Sequence, residues 1–170
     1  CDWRGGVMRG TGKTTAAGGL SIASDNPKIL GRVLDNVATA VWVDGGGLSF
    51  TATAVFNNLG AATFDIRTDA SLLAMSGGVL FSNAGTFVKS AGVQTSCSVP
   101  FRNTGLIDAV VGNISFNGSF EQMGGLVRLV VHQALDLAVE GRYLGARQHL
   151  ERARAGERHV DRPLDAPGPG

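Results

Sequence analysis

Proline, cysteine and charge are all scarce in this chain. Of its 170 residues only five are proline and two are cysteine, and charged side chains make up 17%. Cys1 and Cys97 cannot form a disulfide framework, and no metal-binding spacing can be built from them, so neither cofactor nor metal is expected. A formal net charge of +1 lacks the field that favours nucleic acid or an anionic membrane. No apolar run nears the roughly 20 residues of a membrane span, and no secretory leader is visible at the start. Cys1 is not preceded by Met, which reads as a fragment or processed piece. Trp3, Trp42 and Tyr143 are too sparse to make a sugar-stacking platform.

Glycine is abundant, with 25 residues scattered through apolar and Ser/Thr/Asn-rich segments and no collagen period. The apolar runs are about 3–7 residues long, the length of strands. Examples are Ala62–Ile66, Thr86–Val88 and Leu106–Val111, each followed by a small-residue break and a second run such as Ser71–Met75, Val93–Val99 or Asn113–Phe116. The composition therefore predicts an all-β fold of short strands and tight turns.

A five-residue signature recurs along these runs: LDNVA at Leu34–Ala38, FNNLG at Phe56–Gly60, FSNAG at Phe81–Gly85, FRNTG at Phe101–Gly105 and FEQMG at Phe120–Gly124. Successive copies begin 22, 25, 20 and 19 residues apart. A recurrence near twenty residues marks a stacked-repeat architecture. A unit of that length holding two or three short strands is one turn of a parallel β-solenoid, rising about 4.8 Å per coil. About five to six coils fit. Leu34, Phe56, Phe81, Phe101 and Phe120 are expected to form an interior apolar ladder, and Asn36, Asn58, Asn83, Asn103 and Gln122 an amide ladder at the turn. Gly60, Gly85, Gly105 and Gly124 are expected to supply positive φ at the corner. The competing arrangement is a sandwich of β-hairpins with similar turns.

The stretch from Gly10 to Phe120 resembles the Gly/Asn/Thr-rich β-solenoid repeats of large secreted bacterial proteins, including adhesins and autotransporter passengers. The likeness rests on the Phe, Asn and Gly of the signature beside the GTF of Gly85-Thr86-Phe87. GTGKTTAAGGLSI (Gly10–Ile22) and LGRVLDNVATAVW (Leu30–Trp42) look like further divergent coils. The resemblance implies an extracellular or cell-surface bacterial module that is structural or adhesive and not an enzyme. Its partners would be neighbouring repeats or domains of a larger parent protein, with surface glycans as a candidate ligand.

Composition changes near residue 120. The last Phe is Phe120 and the last Asn is Asn117, while every Glu (Glu121, Glu140, Glu151, Glu157) and every His (His132, His149, His159) follows. The chain divides on this basis into an N-terminal end over 1–9, repeats over 10–125, a last coil or capping segment over 126–145 and a charged, helix-prone then disordered tail over 146–170. Leu126–Glu140 fits both a helical stripe and alternating strands. The tail fits a helical cap on the solenoid's open end; its Arg/Ala/Gly/Pro enrichment equally fits translation out of frame, which resequencing the source DNA would decide.

Three motifs invite chemistry. Met8–Thr15 ends in the Gly12-Lys13-Thr14 of a phosphate-binding loop, but Val7 stands where the first Gly is required and no helix-forming stretch follows. Asp65, Asp69 and Asp108 are single carboxylates on different coils. Asp65 and Asp108 would lie two coils, about 10 Å, apart if they shared a face. They carry the alternative reading, a fragment of a carbohydrate-active β-helix lyase or hydrolase. Asn113-Ile-Ser115 and Asn117-Gly-Ser119 fit glycosylation sequons and read as incidental. Cys97, inside TSCSV, reads as a small strand residue.

Overall fold

The computed structural model describes residues 1–129, and these form a parallel β-solenoid of about six coils. Coil 1 holds β1 (Asp2–Trp3) and β2 (Gly6–Ala16), and coil 2 holds β3 (Leu20–Ile22) and β4 (Lys28–Asn36). Coil 3 runs through β5 (Thr39–Trp42), β6 (Leu48–Phe50) and β7 (Val55–Asn58); coil 4 through β8 (Thr63–Ile66), β9 (Leu72–Ala74) and β10 (Leu80–Asn83). Coil 5 comprises β11 (Thr86–Lys89), β12 (Gln94–Cys97) and β13 (Phe101–Asn103). Coil 6 comprises β14 (Leu106–Ala109), β15 (Asn113–Phe116) and β16 (Phe120–Gln122), and β17 (Leu126–Leu129) opens the next coil. Strands thus begin ahead of Gly10, and Leu126–Leu129 adopts the strand alternative. The remainder of the 126–145 segment and the 146–170 tail lie outside the described residues.

Each coil lays strands on three faces. The first face stacks β1, β3, β5, β8, β11, β14 and β17. The second carries β6, β9, β12 and β15, and the third β7, β10, β13 and β16. β4 belongs to both of the latter, pairing with β6 through Lys28–Leu30 and with β7 through Val33–Asn36. All pairings are parallel, so each coil places equivalent residues above those of the last.

Alternation within each strand turns one set of side chains inward, and the register lines them into rows. Leu34, Phe56, Phe81, Phe101 and Phe120 form one row. Phe64 and Phe87 face them from the first face. Phe56 stacks on Phe81 at 4.8 Å and 7°, and Phe81 on Phe101 at 5.0 Å and 5°. Phe64 stacks on Phe87 at 5.5 Å and 6°. The two stacks meet edge to face, as in Phe56–Phe64 at 84° and Phe81–Phe87 at 75°. Stacked and T-shaped pairs both suit the ring quadrupole, adding to the area term. Phe56, Phe64, Phe81 and Phe87 have no solvent exposure at all.

Candidate functional site

The most elaborate polar structure is the amide row at the corner between the third and first faces. Asn36, Asn58, Asn83 and Asn103 each end a third-face strand and point inward, buried. Asn36 Nδ2 donates to Asn58 Oδ1 (2.9 Å), Asn58 Nδ2 to Asn83 Oδ1 (2.8 Å), Asn83 Nδ2 to Asn103 Oδ1 (2.7 Å) and Asn103 Nδ2 to Gln122 Oε1 (3.0 Å). The second amide hydrogen reaches the strand that follows the partner asparagine, the one opening the next coil but one: Asn36 bonds to Thr63 O, Asn58 to Thr86 O and Asn83 to Leu106 O, at 2.9–3.1 Å. Each asparagine therefore ties together two successive corners. At the ends the row changes chemistry. Ala16 precedes Asn36 in register, and Gln122 turns its longer arm back so that Nε2 donates to Gly124 O.

The corner glycines act differently from the sequence expectation. Gly60, Gly85, Gly105 and Gly124 all lack the positive φ assigned to them; Gly125, next to the signature, has φ 75°. What Gly85 and Gly105 provide is absence of bulk. A Cβ on Gly105 would strike the backbone of Ala84 and Gly85, with the Ala84 carbonyl carbon at 2.6 Å, and one on Gly85 would strike Ala62 and Leu59. The row at this point is Ala38, Ala62, Gly85, Gly105 and Gly125, because Thr63, Thr86, Leu106 and Leu126 donate to the carbonyls of Ala38, Ala62, Gly85 and Gly105 respectively. Gly60 has open space around it and Gly124 only one distant neighbour. Two extra residues in the corner after Asn58 and one after Gln122 displace them from the row. Gly105→Ala is expected to lower stability by about 1–3 kcal/mol through overpacking against backbone, while Gly60→Ala changes little; urea unfolding of the two variants checks this.

Asp65 and Asp108 do share an outward row on the first face, with Val88 between them. Asp65 is nearly buried and spoken for: Arg67 Nε lies 2.7 Å from its Oδ2, and Ser90 donates to Oδ1. Asp108 faces Arg128 Nη1 at 3.8 Å. Asp69 sits apart, at the corner between first and second faces. Its Oδ1 accepts from the backbone of Val93 (2.6 Å) and Gln94 (3.0 Å) and from Lys89 Nζ (3.3 Å). Burial acts to raise the Asp69 pKa, but these hydrogen bonds outweigh it and hold the carboxyl below its usual range. The three carboxylates are not brought together.

Lys13 lies in β2, with no helix after it, and its Nζ pairs with Asp35 Oδ2 at 2.8 Å. The phosphate-loop geometry is therefore missing. Trp3 and Trp42 are buried, so neither offers a ring to a sugar; Tyr143, His132, His149 and His159 lie outside the described residues. Cys97 is buried, and burial pushes its thiol up to about 12, which leaves it inert.

Two lysines escaped the sequence reading. Lys28 and Lys89 occupy inward positions with no solvent exposure. Lys89 stands in register with Ile66 below and Ala109 above, and its ammonium donates to Thr68 O (2.8 Å), Thr95 Oγ1 (3.0 Å) and Asp69. Lys28 likewise donates to Ser24 O inside its own turn. The signal was available: aligning TFVK with TFDI places Lys89 in the row of Ile66. Desolvation pushes both amines below their usual value of 10.5, only partly offset by Asp69 for Lys89 and by Asp44 and Asp25 for Lys28. Between its lowered value and 10.5 the folded chain holds that proton less tightly than the unfolded chain, so Lys89 adds stability as pH rises through this window. The stability of the parent relative to Lys89→Met is thus expected to increase as pH rises toward about 10.5 and to level off above it, measured as urea midpoints across pH; a flat difference throughout would refute it.

Among the described residues no group of three His, Cys, Asp or Glu is placed to hold a metal ion, and no helix is long and apolar enough to cross a membrane. No protein family, curated protein or solved structure matches the chain.

Proposed function

We propose that this β-solenoid is a non-catalytic structural or adhesive segment of a secreted or cell-surface bacterial protein. Its work is geometric: a stiff stack of coils that displays corner loops and spaces neighbouring domains. The observation that carries this reading is the continuity of the interior. Two interlocked phenylalanine stacks and one amide row run through successive coils, committing the Phe and Asn residues to holding the coils in register. The secreted, bacterial setting is supported by the resemblance of the Phe/Asn/Gly repeats to those of adhesins and autotransporter passengers.

The alternative, a carbohydrate-active enzyme, has one observation in its favour, the shared row of Asp65 and Asp108. Incubation of the full chain with neutral and uronate-containing polysaccharides separates the two. No new reducing ends and no unsaturated uronate are expected. Product that forms with the parent and disappears in Asp65→Asn or Asp108→Asn would establish the enzyme instead.

A further inference from the structure

The outer surface of the third face carries two straight rows. The alternation that turns Leu34, Phe56, Phe81 and Phe101 inward turns their strand neighbours outward. One outward row is Val33, Val55, Leu80 and Pro100, apolar and half-buried in four successive coils. No other outward row of the described residues stays apolar for so long. On the first face one row is interrupted by Asp65 and Asp108, and the other is threonine as far as Thr86. On the second, Ser49 separates Ile29 from Leu73. Beside the apolar row of the third face run Asp35, Asn57, Ser82, Arg102 and Glu121. This polar row has an ion pair at each end: Lys13 with Asp35 in coils 1 and 2, and Arg102 with Glu121, at 3.0 Å, in coils 5 and 6. Asp35 is covered by Lys13 and Asn57, while Lys13, Arg102 and Glu121 are about half exposed. Between the pairs, Asn57 Oδ1 and the Ser82 hydroxyl have no hydrogen-bond partner among the described residues.

We infer that two copies of this chain associate through this face, about a two-fold axis that runs along the strand direction between coils 3 and 4. Such an axis sets each row opposite itself and reverses the order of the coils. Val55 then meets the partner's Leu80, and Val33 the partner's Pro100. Asn57 meets the partner's Ser82, so the two unpartnered groups satisfy each other. The Lys13–Asp35 pair lies against the partner's Arg102 and the partner's Glu121, with the guanidinium on the side of Asp35 and the carboxylate on that of Lys13. Four charges of alternating sign result, twice over by symmetry, and neither existing ion pair has to break. An axis along the solenoid would instead set the apolar row on the polar one. Aligned sheets pack face to face in this manner, about 10 Å apart. A face of five coils spans only about 20–25 Å, which places the contact at the weak end of protein interfaces.

Sedimentation equilibrium of the full chain, carried to about 1 mM, should show a dimer with a dissociation constant on the order of 0.1 mM at low salt. Leu80→Asp, a change outside the core that enters the contact twice, should weaken it at least about a hundredfold. The exchange Arg102→Glu/Glu121→Arg keeps the net charge and the local ion pair, so its urea midpoint should match that of the parent. Like charges now face each other across the contact, so its dimer should be about tenfold weaker at low salt, and the difference should vanish at high salt. A monomer throughout the concentration range, a dimer indifferent to Leu80→Asp, or equal association of the exchanged variant at low salt would each overturn the proposal.

Discussion

Truncation of Phe81 to alanine is expected to cost about 3–5 kcal/mol. Phe81 lies at the centre of one aromatic stack and meets both rings of the other edge to face. It is parallel to Phe56 and Phe101, at 4.8 and 5.0 Å, and edge-on to Phe64 and Phe87, at 5.2 Å each. Removing it leaves a void against rings held by two neighbouring coils, and a stack of paired strands cannot close over it without losing register. The effect should be non-local, because repeats are coupled chiefly through their neighbours. A Phe101→Ala change, with Phe116 and Phe120 also in contact, provides the comparison. Urea unfolding followed by far-ultraviolet circular dichroism measures both; a Phe81→Ala loss below about 1.5 kcal/mol, the range of a tolerated core swap, would contradict this packing account.

Asn83→Ala is expected to cost about 2–4 kcal/mol, with no cavity of comparable size to explain it. Its amide donates to Asn103 Oδ1 and Leu106 O, and its Oδ1 accepts from Asn58. Loss of the amide strips a bond from Asn58 below and leaves Leu106 O and Asn103 Oδ1 above with fewer partners. Asn83→Asp separates hydrogen bonding from volume: a carboxylate cannot donate to Asn103, so it should be as damaging as alanine at neutral pH and partly rescued when protonated in acid. Equal stability of Asn83→Asp and the parent at neutral pH would show that the row contributes little.

The fold was legible because coil length is written directly in the spacing of Phe and Asn. A parallel register repeats the same inward position once per turn, so a 20-residue interval such as Phe81 to Phe101 is itself a measure of the coil's circumference. The corner glycines were misjudged because small insertions move a residue out of register without altering the local motif. FNNLG and FSNAG look alike, yet the extra residues after Asn58 put Ala62, not Gly60, in the row of Gly85. The crowding at Gly105 was illegible for a different reason: it comes from the backbone of the preceding coil, which no local pattern encodes. The buried lysines were overlooked because a charged residue is ordinarily assigned outward. Only the register of Lys89 with Ile66 argues otherwise, and its amine finds acceptors in turn carbonyls that become visible once the coils are stacked.

The parallel pairing of every described strand has a mechanical consequence. Tension applied along the solenoid axis loads backbone hydrogen bonds in the direction in which they point, so coils should peel one after another and not shear together. Each released coil of about 20 residues would exchange a rise of about 4.8 Å for an extended length of about 70 Å. Single-molecule extension should therefore show a train of small, evenly sized steps at modest force, and one abrupt rupture would contradict it. A chain of this kind lengthens more than tenfold under load while keeping its unpeeled coils intact, the behaviour of an extensible tether.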